Sequence, residues 1–428
     1  MEKIINLGIG FDTGRANICK LINTYYQDIL DQTKKFSKPV KVTIFLMYDL
    51  GYQGAKEEDF YNINPEVFQK INIKYITKKD IEEAKEDNIG ILTREEADLF
   101  FGYGHAKGRN TIMYFALKEG MNYLMYWDDD EYPIACMKND NGALSWKKQN
   151  NVLTHLENIE KSDVTMGYHC GYISPIPYID IEDRNTIDES TLKTFIEAIS
   201  NELVSWESIK KKMEENYGIT YAEEYLANGN GAYVPKEKWC AGTNICLNLN
   251  HLSKIPAFYN PLNSRGEDTF FSTQLQHSKI TKIPTYHFHD GFLQYTSIMD
   301  GKNPTYLDKI EMNSEKIEKR FYNACLGWIR YKPLLTYITR RDTYIEDMEK
   351  VKRDLENSVD KMNSLIKYSK DCDFNNVLLE LDKYSKNVFS DYNDYLLVND
   401  VWKRLKRVYG SGRIVKKNRK GRKEIILD

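Results

Sequence analysis

Three aspartates stand in a row at Asp128, Asp129 and Asp130, directly behind the apolar run YLMYW at 123–127. A run of that composition reads as a short buried strand. Carboxylates at a strand's carboxyl end face the crevice in which open α/β sheets take ligands. Asp128 and Asp130 are two apart, so an extended backbone projects them to one side. Carboxylates converging on one point repel each other unless a cation lies between them. Hard oxygen ligands suit Mg²⁺ or Mn²⁺, which also hold substrate phosphates. A second acid pair, Glu267-Asp268, follows Gly266 and opens a helical pattern. The free amides and dipole of a helix N-terminus stabilise a carboxylate, which predicts an ionised group fit to act as a general base; capping alone is the plainer role. In the third segment, KIPTYHFHD at 282–290, alternation puts His287 and His289 on one face. Neutral imidazole is a common ligand of divalent transition ions.

The elements that must position these groups follow from periodicity. Residues 4–10 read as a strand, 17–30 as a helix, 40–48 as a strongly apolar strand ending at Asp49, and 72–77 as a third strand. A polar helix around 80–85 and an apolar one through 112–117 precede the strand at 123–127. Strands and helices in this order predict a doubly wound α/β sheet. Right-handed crossovers then line the loops after the strands along one crevice. Asp12 and Arg15 lie after the first strand and Asp49 after the second. The guanidinium groups of Arg15 and Arg109 suit planar, anionic partners. A cap or turn is the plainer role for Asp12 and Asp49. Farther on, 163–172 reads as a strand whose His169 is a packed histidine. Residues 180–228 are polar, with helices around 192–203 and 206–217, and 245–249 is an apolar strand.

Gly108-Arg109-Asn110, then a helix, then a strand ending in Asp-x-Asp, resembles the core of nucleotide-sugar glycosyltransferases of the GT-A fold, over roughly residues 4 to 292. The resemblance implies an α/β chain with a Rossmann-like doubly wound mixed sheet at 1–300 and a helical region with a basic tail at 301–428. It implies that Asp12, Arg15 and Asp49 line the nucleotide and that Arg109 and Asn110 begin the helix beneath it. Asp128 and Asp129 would contact the donor. Asp130 would hold Mn²⁺ or Mg²⁺ on the diphosphate, completed by His289, with His287 on the metal or a phosphate. Asp268 would deprotonate the acceptor hydroxyl, Glu267 would hydrogen-bond sugar or acceptor, and a single displacement would invert the anomeric centre. The donor would be a nucleoside-diphosphate sugar, UDP-sugars being favoured; the acceptor would be a glycan, a lipid-linked glycan or a protein. No Gln-x-x-Arg-Trp occurs, which disfavours the processive synthases. A retaining transferase on the same fold is the first alternative. A sugar nucleotidyltransferase would show a more basic phosphate loop than GIGFDTGR, and a non-catalytic scaffold would not need the three segments together.

Composition narrows the setting. The chain has 428 residues, 41% of them hydrophobic, and a net charge of −3. No apolar run approaches the roughly 20 residues that span a bilayer. The start lacks a signal-peptide pattern, and the seven cysteines are scattered without a C-x-x-C, which predicts a reducing, cytoplasmic location. Between Lys403 and Lys423 stand eleven basic residues and no acid. Such a tail is either a solvated terminus or a dock for an anionic inner membrane face; no nucleic-acid-binding module accompanies it. After residue 300 the pattern is helical: 309–330, stopped at Pro333, then a seven-residue repeat over 343–368, and helices around 377–381 and 395–408. Packing on the catalytic region is its ordinary role and a dimer contact the competing one.

Overall fold

The structure, a computed structural model, describes residues 3–52, 54–172, 175–180, 187–200, 206–236 and 238–410, together with the backbone of 415–417 and 423–425. Residues 411–414 and 418–422 of the basic tail lie outside the described residues. The strands are β1 (Ile5–Thr13), β2 (Val40–Tyr48), β3 (Asn72–Ile76), β4 (Tyr123–Tyr126), β5 (Glu131–Tyr132), β6 (Ile134–Lys138), β7 (Leu144–Lys148), β8 (Val164–Tyr172), β9 (Ile219–Thr220), β10 (Ile245–Asn248) and β11 (Ile280–His289). One mixed sheet runs in the order β3-β2-β1-β4-β10-β8-β11-β5, with β9 against β8, while β6 and β7 form a separate hairpin. The β3-β2-β1-β4 part is parallel, and β10 is antiparallel to both its neighbours.

The sequence of β1, INLGIGFDT, explains how the layers close. Leu7, Ile9 and Phe11 point into the core beneath the Asn17–Lys35 helix. Gly8 and Gly10 fall on the other face, where the His105–Lys118 helix lies so close that a Cβ on Gly10 would stand 2.7 Å from Ile112. The small residues thus let that helix settle directly on the central strand and bring Gly108-Arg109-Asn110 to the strand's end.

The C-terminal region is helical, as expected, but its divisions differ. The Glu315–Thr339 helix runs through Pro333. The proline removes one amide donor and crowds the carbonyl four residues earlier. Burial of Ile329 and Leu334 on either side outweighs that local cost. The heptad-like stretch is two helices, Tyr344–Glu356 and Val359–Ser364, meeting at Ser358. Its apolar set, Met348, Val351, Leu355, Met362 and Leu365, is buried within the chain's own core. The last two patterns merge into one 35-residue helix, Asn375–Tyr409. Phe45, Ile112 and Phe258 share a core with Val401 and Trp402, so residue 300 does not separate two hydrophobic cores. No helix among the described residues is long and apolar enough to cross a membrane.

Candidate active site

Strands β2 and β3 lie on one side of β1, and β4 on the other. Crossovers therefore leave in opposite directions and open a crevice at the carboxyl ends of β1 and β4, where such sheets bind ligands. Asp12 sits inside β1, one residue from its end. Its carboxylate fills the space left by Gly108, where a Cβ would stand 2.0 Å from Oδ2. Burial pushes the Asp12 carboxyl up to about 7; Arg109 pulls against that, while Glu267, Asp49 and Asp129 add to it. Asp49 follows β2, and its Oδ1 accepts the Gly51 amide at 2.9 Å. That is the turn role, at the crevice's edge. Next to it the exposed ring of Tyr52 covers Gly14, an aromatic lid that sequence reading passed over.

The aspartate triplet does not converge on one point. β4 ends at Tyr126, the backbone turns, and the two-residue alternation is lost. Asp128, with its side chain 40% exposed, faces Arg109 Nη2 at 3.7 Å. Asp129 and Asp130 instead share Arg15, whose Nη1 donates to them at 2.7 and 2.8 Å. The Thr13 hydroxyl also donates to Asp129, and Asn17 Nδ2 donates to its carbonyl at 2.8 Å. Burial raises the Asp129 carboxyl to about 6, against the pull of Arg15. Arg15 is thus bound to the triplet rather than held out toward a phosphate.

The histidines of β11 divide. His289 Nδ1–H donates to the Tyr172 carbonyl at 2.9 Å, and Nε2 faces Asp130 Oδ1 at 3.9 Å. A carbonyl can only accept, so Nδ1 carries a hydrogen, and Nε2 is the nitrogen turned toward Asp130. His287 is fully buried, so the expected contact with Asp130's ion or a phosphate is corrected: its Nδ1 lies 2.8 Å from Glu131 Oε2. His169, read as a packed histidine, has its Nε2 3.1 Å from Glu131 Oε1 and its side chain 27% exposed. Thr243 Oγ1 donates to the same Oε1 at 2.5 Å. Burial pushes the Glu131 carboxyl up, yet His169 and His287 more than offset it and hold it well below the usual range. Sequence reading missed Glu131, His169 and Thr243. The register that sets His169 beside His287 links strands more than a hundred residues apart.

At the other end of the crevice, Gly266 adopts φ +92°, with the Tyr331 ring 2.9 Å from where a Cβ would be. It turns the chain into the Glu267–Thr273 helix. Burial would raise Glu267, but His105 and Arg109 lower it overall. Asp268 behaves oppositely: burial, then the charge of Glu267, raise it to about 7 against the Thr269 amide, 2.7 Å away. The expectation of an ionised acid at the helix start therefore holds for Glu267 and fails for Asp268. Arg109 links the two ends: Nη1 donates to the Gly242 carbonyl at 2.5 Å, and Nε lies 3.6 Å from Glu267. Asn110 does not face the crevice chemistry. Its Nδ2 donates to the Phe258 carbonyl and its Oδ1 accepts the Phe258 amide, both at 2.8 Å. It is a clamp on the segment leading to Gly266.

A comparison with protein-family models finds no match, and a comparison with curated proteins finds no relative. The crevice geometry therefore carries the functional argument. It gathers Asp12, Asp49, Arg109, Asp128, Asp129, Asp130, Glu267, Asp268 and His289, and sets Asn110 and His287 aside.

Proposed function

We propose that the protein is a metal-dependent glycosyltransferase of the GT-A kind, moving a sugar from a nucleoside-diphosphate sugar to an acceptor hydroxyl with inversion. The observation that supports it most is the pairing of His289 and Asp130 in the same crevice as a half-buried carboxylate with a raised pKa, Asp268. The donor set fits a divalent cation. Nε2 of His289 faces Asp130 Oδ1 across 3.9 Å, and its other ring nitrogen is fixed by a backbone carbonyl, as in metal-ligating histidines. Mn²⁺ or Mg²⁺ held there would supply positive charge to a leaving diphosphate. Asp49, Asp12 and the Tyr52 ring border the space for base and ribose, and Asp128 is the open carboxylate beside them. Asp268 takes the proton of the acceptor hydroxyl; a base with pKa about 7 is matched to that work at neutral pH. Glu267, kept ionised, orients sugar or acceptor, and Arg109 ties the donor and acceptor ends together.

The test is nucleoside diphosphate release from a panel of nucleotide sugars, UDP-sugars first, with glycan, lipid-linked and protein acceptors. Turnover of one donor with Mn²⁺, lost in EDTA and in Asp130→Ala, supports the reading. Failure of every donor to bind by calorimetry overturns it. The anomeric configuration of the product, read by NMR, decides between inversion through Asp268 and retention.

A further inference from the structure

We infer that Glu131, His169 and His287 form a second cation site, which takes a transition ion of the zinc class and is separate from the Asp130–His289 pair. The three residues come from β5, β8 and β11, and one donor atom from each lies within 4.8 Å of the others. The observed separations, 2.8 Å from His287 Nδ1 to Glu131 and 3.1 Å from His169 Nε2 to Glu131, are already close to ligand spacing. Zinc–nitrogen and zinc–oxygen bonds of about 2.1 Å at tetrahedral angles put ligand atoms about 3.4 Å apart. Small side-chain shifts admit an ion.

Two imidazoles and one carboxylate make the donor set of open zinc sites, which keep their fourth position for water or substrate. Imidazole nitrogen selects zinc, iron or copper over magnesium, whereas the carboxylate-rich triplet suits the harder ions. The site is walled on the protein side, with His287 fully buried and the Glu131 side chain only 5% exposed. It opens on the side of His169, which is 27% exposed. Thr243 Oγ1 borders it, 3.4 Å from His169 Nε2, and orients the carboxylate from outside the donor set.

The inference does not rest on the glycosyltransferase reading. The full chain, stripped with chelator, is titrated with Co²⁺ and followed by visible d–d absorption, with Zn²⁺ calorimetry beside it. One equivalent is expected to give the intense band of a four- or five-coordinate ion. The band should persist in the double variant Asp130→Ala/His289→Ala and vanish in His169→Ala, whose partly exposed position spares the fold, as circular dichroism verifies. Glu131→Gln should weaken Zn²⁺ binding at least tenfold. No stoichiometric Co²⁺ or Zn²⁺ overturns the inference, and the cluster is then a hydrogen-bond network only. A band lost in the Asp130/His289 variant but kept in His169→Ala also overturns it. Mn²⁺-dependent donor turnover without a His169-dependent band would remove this site alone and leave the transferase reading standing.

Discussion

Two pairs of nearby acids, one at each end of the crevice, divide in the same way. Glu267 stays ionised while Asp268, the next residue, is raised to about 7. Glu131 lies well below the usual carboxylate range while Asp129, two residues earlier, is raised to about 6. All four feel burial as the largest effect. In each pair the ionised member has more compensation: Arg109 and His105 for Glu267, two imidazoles for Glu131. Its charge then presses on its neighbour. Each end thus holds one fixed charge and one group able to exchange a proton near neutrality.

The largest expected effect breaks the Glu267–Asp268 pair. Under the proposed chemistry, Asp268→Asn lowers kcat by about 10²–10⁴-fold, the range for losing a general base, and abolishes the rise of rate with pH through about 7. Glu267→Gln sharpens the comparison. Removing its charge lets Asp268 ionise more readily, so that rise moves to lower pH; an unmoved rise in the variant would take the base assignment from Asp268. Next in size is Asn110→Ala. It leaves the Phe258 amide and carbonyl without their partners, costing about 2–6 kcal/mol at about 1–3 kcal/mol per buried group. Urea unfolding checks this, and an unchanged midpoint would remove the clamp role.

At the other end, Glu131→Gln takes the anionic acceptor from His287, His169 and Thr243, an expected loss of about 1–3 kcal/mol, read as a lower Tm in chelator. The last test is of pH-dependent stability. Asp12, Asp129 and Asp268 are raised from 3.8 to about 7, 6 and 7. The stability from their extra proton affinity is complete below about pH 4 and is lost as pH climbs through about 6–7. Glu131 and Glu267 are lowered and act in the opposite sense, below their ordinary value of 4.5. The imidazoles of His105, His155 and His287, held below their ordinary value of 6.5, also favour folding as pH rises, but the raised carboxyls, Asp290 at about 7 among them, outnumber them between about pH 5 and 7.5. Tm in chelator should fall across that interval, and Mn²⁺ should restore more of it at the upper end. A Tm that climbs with pH there would contradict the raised carboxyls.

Much of the scaffold was legible because strong local patterns carried it. β2 occupies the same residues in the sequence reading and the structure, since VKVTIFLMY has one reading as a buried strand. Pro333 misled because its local cost is small beside the burial of a helix embedded in the core. The triplet misled for a different reason: alternation applies only while a strand lasts, and β4 stops two residues before Asp128. His287 and His289 do share a face, but a face does not say what lies opposite. Glu131 and Asp130, which decide that, are adjacent in sequence and point to different histidines. Asn110 carried no sign of its clamp role, because its partner Phe258 is 148 residues away.

The Asn375–Tyr409 helix has one more consequence. Along its length Tyr384 donates to the Leu262 carbonyl, Asn399 accepts the Ala257 amide, and Trp402 and Lys406 donate to the Ile255 carbonyl. Those four grips all fall on residues 255–262, an irregular segment with no sheet partner of its own that leads into Gly266 and the acid pair. The helix is a splint for the Glu267–Asp268 end of the crevice. A change that shifts this 35-residue helix therefore reaches the backbone that carries Asp268.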